Sequence, residues 1–119
     1  MPRELHDEPV ELAVDSIGGV LAVAVHGALV GASSEPLRNC LAQAIRGGRP
    51  VVLDLTETAD IDRGGIDTLL EAHRRLATRL RIVVARGGGV HAALRRDGVA
   101  HVLSLHGSRA QALSAAAPR

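Results

Sequence analysis

Pro50-Val51-Val52-Leu53-Asp54-Leu55-Thr56 leads through Ile61-Asp62-Arg63-Gly64-Gly65-Ile66 into Leu69-Leu70. The first part is a short run of aliphatic, partly β-branched residues opened by a proline, which a strand tolerates at its first position. From Ile66 the period changes. Ile66, Leu69, Leu70, His73, Leu76 and Ala77 fall on one stripe at helical spacing, the clearest amphipathic pattern in the chain. A buried strand feeding an amphipathic helix is the repeating unit of an α/β sheet.

Working outward, the same two periods recur. On the N-terminal side, Val10, Leu12 and Val14 alternate with polar neighbours as a half-buried edge strand does, and Val20 to Val25 is a continuous apolar run covered on both faces. Ser16-Ile17-Gly18-Gly19 between them predicts an antiparallel hairpin. Leu37, Cys40, Leu41, Ala44 and Ile45 predict a helix, with Ser33 or Ser34 as N-cap candidates and Gly47-Gly48 as the stop. On the C-terminal side, strands are expected over Arg81 to Ala85 and His101 to Leu105. A short helix is expected from about Val90 to Arg96, ended by Gly98, and a last one capped by Ser108 and carrying Ala112, Leu113 and Ala116. The expected order is β-β-α-β-α-β-α-β-α, a mixed and mostly parallel five-stranded sheet with four helices and right-handed crossovers.

Composition bounds the rest. The 119 residues, 46% apolar and 23% charged, read as one soluble domain over 1–119, with loose termini at 1–8 and 115–119. With no Phe, Trp or Tyr, the core must be aliphatic, and rings that stack on bases are absent. A formal net charge of +1 is no footprint for nucleic acid or an anionic membrane. The polar start Met1 to Pro9 is no secretory signal, and the longest apolar run is too short to cross a bilayer, so a cytoplasmic location is expected. One cysteine, Cys40, excludes an intrachain disulfide framework.

The central stretch resembles the signature of STAS domains, the family of anti-sigma-factor antagonists and of the cytoplasmic tails of sulfate transporters. The usual pattern is an apolar strand ending in Asp-Leu-Ser/Thr, a short loop, then Asp-Ser-Ser-Gly opening a helix with paired apolar residues. Here those positions read Asp54-Leu55-Thr56, Asp62-Arg63-Gly64-Gly65 and Leu69-Leu70. Val25-His26-Gly27-Ala28-Leu29 is similar to the end of the family's second strand, and Leu94, Gly98 and Val99 fit its third-helix boundary, so the resemblance spans nearly the whole chain. Two departures stand out. Arg63 occupies the place of the phosphorylatable serine with Gly64 in that of the second, and Val30 stands where an acidic residue is usual.

The resemblance implies a protein-binding regulator, not an enzyme. It would capture a kinase-like anti-sigma factor, release a sigma factor, and escape phosphorylation at the position of Arg63. The implied docking residues are Ser33, Ser34, Thr58, Asp60, Asp62, Arg63, Gly64, Gly65 and Thr68, gathered at one end of the sheet. Phosphorylation there would add about −1.5 to −2 charge at a helix start, where Arg63 instead places a cation against the helix dipole. Two readings of Arg63 follow: it pairs with Asp60 or Asp62, or it faces the partner. An STAS subunit of a transporter ATPase or of a signalling scaffold is the alternative function, and homo-oligomerisation is left open.

Other candidates for chemistry are weaker. Asp54, Glu57, Asp60 and Asp62 lack the spacing of a hard-cation site, and Asp54 is better explained as an acceptor for backbone donors at the strand end. Gly87-Gly88-Gly89 lacks the remainder of any phosphate-binding motif and reads as a strand-to-helix turn. His6, His26, His73, His91, His101 and His106 form no helical His-x-x-x-His pair, and His73 is expected at the core rim with one nitrogen satisfied. No nucleophile–base constellation, cofactor site or metal site is expected. Threonines and Cys40 are the remaining routes to regulation.

Overall fold

The computed structural model describes residues 8–116. Among them β1 (Glu11–Ile17) and β2 (Val20–Leu29) form the hairpin, followed by a 3-10 turn (Gly31–Ser34), α1 (Glu35–Gly47) and β3 (Val51–Asp54). Next come β4 (Thr58–Ile61), α2 (Arg63–Leu76), β5 (Leu80–Val83), α3 (Gly89–Arg96), β6 (Leu105–His106) and α4 (Arg109–Ala116). The loose ends expected at 1–8 and 115–119 fall largely outside the described residues.

The sheet runs β1-β2-β3-β5-β6. β1 lies antiparallel to β2, and every later pairing is parallel. This is the mixed, mostly parallel α/β sheet with four helices that the periodicity predicts, with a sixth strand added. β4 pairs in parallel with the far end of β2, opposite Gly27 to Leu29, with a register shift between Gly27 and Ala28. Gly27 has φ +118°, a conformation that side-chain-bearing residues rarely adopt, so glycine permits the break in register.

Alternation along the strands assigns the two faces of the sheet. Val23, Val25, Val51, Leu53, Leu80 and Ile82 point to the face packed by α1, α2 and α3. Val20, Val52 and Val83 point the other way, against Ala112 and Ala116 of α4. Because α1 and α2 each return the chain between parallel strands, they run side by side in the same direction. Their C-terminal ends meet where Arg79 Nη1 donates to the Gly48 carbonyl at 3.0 Å.

Three expectations need correction. The segment expected as a loop before α2 contains β4, whose buried ends Thr58 and Ile61 flank exposed Ala59 and Asp60. The last strand is two residues long and begins at Leu105, because residues 100–103 turn instead, with Leu103 still buried in the core. At the start of α1, neither serine caps with its side chain. Ser34 holds the N-cap position without a side-chain bond, its buried hydroxyl unpartnered, while Ser33 Oγ donates back to the Val30 carbonyl at 2.7 Å. Both residues are buried in or beside the 3-10 turn that precedes α1. At the other end of the chain, Ser108 Oγ accepts from Gln111 N at 3.2 Å, the expected cap of α4.

Candidate docking site at the start of the second helix

The parallel β2–β4 pairing delivers the chain to α2 beside the end of β2. Asp62 stands at the N-cap in an extended conformation (φ −102°, ψ −175°), with its N–H donating to the Leu29 carbonyl at 3.1 Å. Its Oδ1 accepts from Gly65 N at 2.9 Å, satisfying one of the N–H groups that a helix start leaves without a carbonyl. Oδ2 accepts from Gly31 N at 2.9 Å. One carboxylate therefore caps α2 and fastens it to the turn after β2. Burial pushes its pKa up, but the backbone N–H donors of Gly65, Gly31, Gly64 and Asp62 itself outweigh burial and hold it below the usual aspartate value.

Gly65 is buried, and the reason is contact. A Cβ there would lie 2.5 Å from the Leu29 carbonyl oxygen and 2.7 Å from Ile61 Cγ1, closer than van der Waals packing allows. Gly64 is different. A Cβ there would find only Asp62 Oδ1, at 3.4 Å.

Arg63 pairs with neither Asp60 nor Asp62. Both Asp62 oxygens are occupied by backbone donors, and Asp60 Oδ1 accepts from Ile61 N at 2.8 Å. Instead Arg63 Nε donates to Asp67 Oδ1 at 3.2 Å, one helical turn on, and Nη1 reaches both oxygens of Asp97 at 3.0 and 3.1 Å. Asp97 ends α3, which packs beside β4. The pairing joins two charges that are each unfavourable alone, a cation at the N-terminus of α2 and an anion at the C-terminus of α3. The Arg63 side chain remains 70% exposed, so the fork is held in place at the surface and not buried.

The nine anticipated residues separate into two layers. Asp60, Arg63 and Gly64 are exposed, with Asp62 and Thr68 half-buried beside them. Ser33 and Ser34 (0% and 1% exposed), Thr58 and Gly65 lie beneath as support. Thr58 Oγ1 donates to the Val25 carbonyl at 3.0 Å, and Thr68 Oγ1 to the Gly64 carbonyl at 3.0 Å. Two residues of the site went unanticipated. Asp67 was available as an i,i+4 partner on a helix; Asp97, 34 positions from Arg63, has no local signal.

Elsewhere the polar groups have structural tasks. Asp54 Oδ1 accepts from both Thr56 N at 2.9 Å and Thr56 Oγ1 at 2.7 Å. Gly88 is the N-cap of α3 and donates to the Ala85 carbonyl at 2.9 Å, as in a strand-to-helix turn. His73 is half-buried on the rim, but its buried Nδ1 has no hydrogen-bond partner. Burial pushes the half-buried Cys40 thiol above its ordinary pKa, so it should react with iodoacetamide at pH 7 more slowly than free cysteine. A rate equal to or above that of the free thiol would contradict this. Among the described residues no group of three or more His, Cys, Asp or Glu side chains is placed to hold a metal ion, and no helix is long and apolar enough to cross a membrane.

Comparison with known proteins agrees with this architecture. An anti-sigma factor antagonist from Mycobacterium paratuberculosis superposes with a TM-score of 0.82 at 19% identity, covering 90% of this chain and 93% of that one. The anti-sigma factor antagonist SpoIIAA in its unphosphorylated form superposes with a TM-score of 0.62 at 14% identity (85% and 92% covered). The phosphorylated Bacillus SpoIIAA, a cell fate determinant, gives 0.63 at 15% identity (88% and 96% covered). At these identities the likeness is one of fold. No curated protein sequence matches the chain. The STAS domain pattern matches residues 11–112, nearly all of the sheet and its helices, and the chain belongs to the STAS domain family.

Proposed function

We propose that the chain is an anti-sigma factor antagonist, a cytoplasmic binding protein and not an enzyme, which docks a kinase-like anti-sigma factor through the start of α2. The observation that carries this reading is the Asp62 cap with its exposed neighbours Asp60, Arg63 and Gly64. It forms a charged surface tied by hydrogen bonds to the turn after β2, on a fold that the chain shares with solved anti-sigma factor antagonists. SpoIIAA exists in phosphorylated and unphosphorylated forms. In this chain Arg63 takes the place of the family's phosphorylatable serine and has no hydroxyl for a serine kinase to modify, so docking is independent of serine phosphorylation there.

The test has two arms. Affinity capture from the native host, followed by identification of the bound protein, should recover a kinase-like anti-sigma factor; its absence under conditions that recover other partners refutes the reading. With that factor in hand, Arg63→Ala should weaken binding at least tenfold while changing stability by less than about 1 kcal/mol, since exposed ion pairs contribute little to folding. Arg63→Ser incubated with the factor and ATP should gain phosphate that the natural chain does not. Incorporation of phosphate into the α2 start of the natural chain would overturn the modification-independent part.

A further inference from the structure

Alongside the Arg63 surface, α1 and α2 leave a groove of about 650 Å³ between them. Its floor and walls are mostly small or apolar: Leu41, Ala42 and Ile45 from α1, Gly64, Thr68 and Ala72 from α2. At 1.5 Å per residue, helices of 13 and 14 residues give it a length of about 20 Å. Small residues on both walls let another backbone approach closely, and two parallel ridges of side chains define a furrow that a third helix can enter.

Charge within the groove is uneven. Near its start Asp67 is bound to Arg63, and Arg38 donates to Glu35. Toward the joined C-terminal ends stand Arg46 and Arg75, with Arg74 close by, against the single carboxylate of Glu71. Glu71 is taken by both Arg74 and Arg75, whose hydrogen bonds hold its carboxyl below the usual range. With Arg74 and Arg75 sharing the one carboxylate of Glu71 and Arg46 in no ion pair among the described residues, this end is net basic, next to an apolar trough.

We infer that the groove receives an amphipathic helix of the docked partner, with an apolar face on Ala42, Ile45 and Ala72 and carboxylates lying over Arg46 and Arg75. Apolar anchors at i, i+3/i+4 and i+7 are the way a helix occupies such a groove, and the basic end selects the acidic helix and fixes its direction. The inference rests on the reading of the chain as a docking protein and names the chemistry of the element that docks.

The experiment needs no identified partner. Two labelled 15-residue synthetic helices share one leucine–alanine stripe; one carries glutamates on its flank, the other lysines. Each is titrated against the full chain by fluorescence anisotropy, and bound residues are mapped by NMR shift changes. The acidic peptide is expected to bind at least tenfold more tightly than the basic one and to shift residues 38–46 and 64–75. Arg46→Glu, which disturbs no ion pair, should erase or reverse that preference. Equal binding of the two peptides, no saturation by either, or shifts mapping elsewhere would overturn the inference. So would self-association of the chain that Arg46→Glu abolishes, since the occupant would then be a second copy. Failure here with retained anti-sigma factor binding refutes the groove alone; acidic-peptide binding without a kinase-like partner refutes the proposed partner alone.

Discussion

Replacing Gly65 with alanine should lower stability by about 2–3 kcal/mol, with a fall in Tm of roughly 10 °C. Two effects oppose each other. Alanine favours the helix by up to about 1 kcal/mol over glycine, but its Cβ would sit 2.5 Å from the Leu29 carbonyl oxygen and 2.7 Å from Ile61 Cγ1. The first obstacle is backbone, held in the β2–β4 pairing, and cannot rotate aside as a flexible side-chain end can. Overpacking therefore wins. Gly64→Ala is the internal control: its Cβ would meet only Asp62 Oδ1 at 3.4 Å, so stability should stay within about 1 kcal/mol of the parent. Chemical denaturation followed by far-UV circular dichroism measures both. Equal effects at the two positions would contradict the close approach.

Asp62→Ala should cost about 2 kcal/mol, because it removes the helix cap and the tie to Gly31 together. The tie at Gly31 is at the surface, where water replaces part of the loss, which keeps the figure below the sum for two buried charged bonds. Asp62→Asn keeps an acceptor for Gly65 N and should recover roughly half. Stability should also depend on pH with a definite sign. The folded-state pKa is depressed, so the native chain binds fewer protons than the unfolded one. This contribution is fully present above the ordinary aspartate value of about 4 and disappears as pH falls through the folded-state value. The gap in denaturation midpoint between the parent and Asp62→Ala should therefore be smaller at pH 3 than at pH 7. A constant gap across that range would show that the charge of Asp62 is not what stabilises the loop.

Much of this was readable in the sequence wherever hydrophobic period was strong. Ile66, Leu69 and Leu76 are buried on the stripe that announced α2, and Val51 to Leu53 are buried as a strand covered on both faces. β4 escaped because Thr58-Ala59-Asp60-Ile61 is short and polar in its middle; its backbone is paired by β2, not selected by its own side chains. The C-terminal strand was placed too early because Val102 and Leu103 are apolar, and burial of Leu103 from a turn satisfies the same hydrophobic demand without a strand. Ser33 and Ser34 carry the composition of a helix cap, while the 3-10 turn before α1 gives them buried positions. At the site, Asp62 and Gly65 were picked out by their resemblance to the family motif, which says nothing of the helix cap and the close backbone approach they make here. The choice of Asp97 by Arg63 was not legible, since only the packing of α3 beside β4 brings an anion within reach.

The wholly aliphatic core has a practical consequence for detecting a complex. With no tryptophan or tyrosine, the chain has no intrinsic emission in the near ultraviolet and almost no absorbance at the usual protein wavelength. Any tryptophan signal in a mixture belongs to the other molecule. Quenching or a blue shift of that signal on addition of this chain would report its burial against a dark background, with no label on either component.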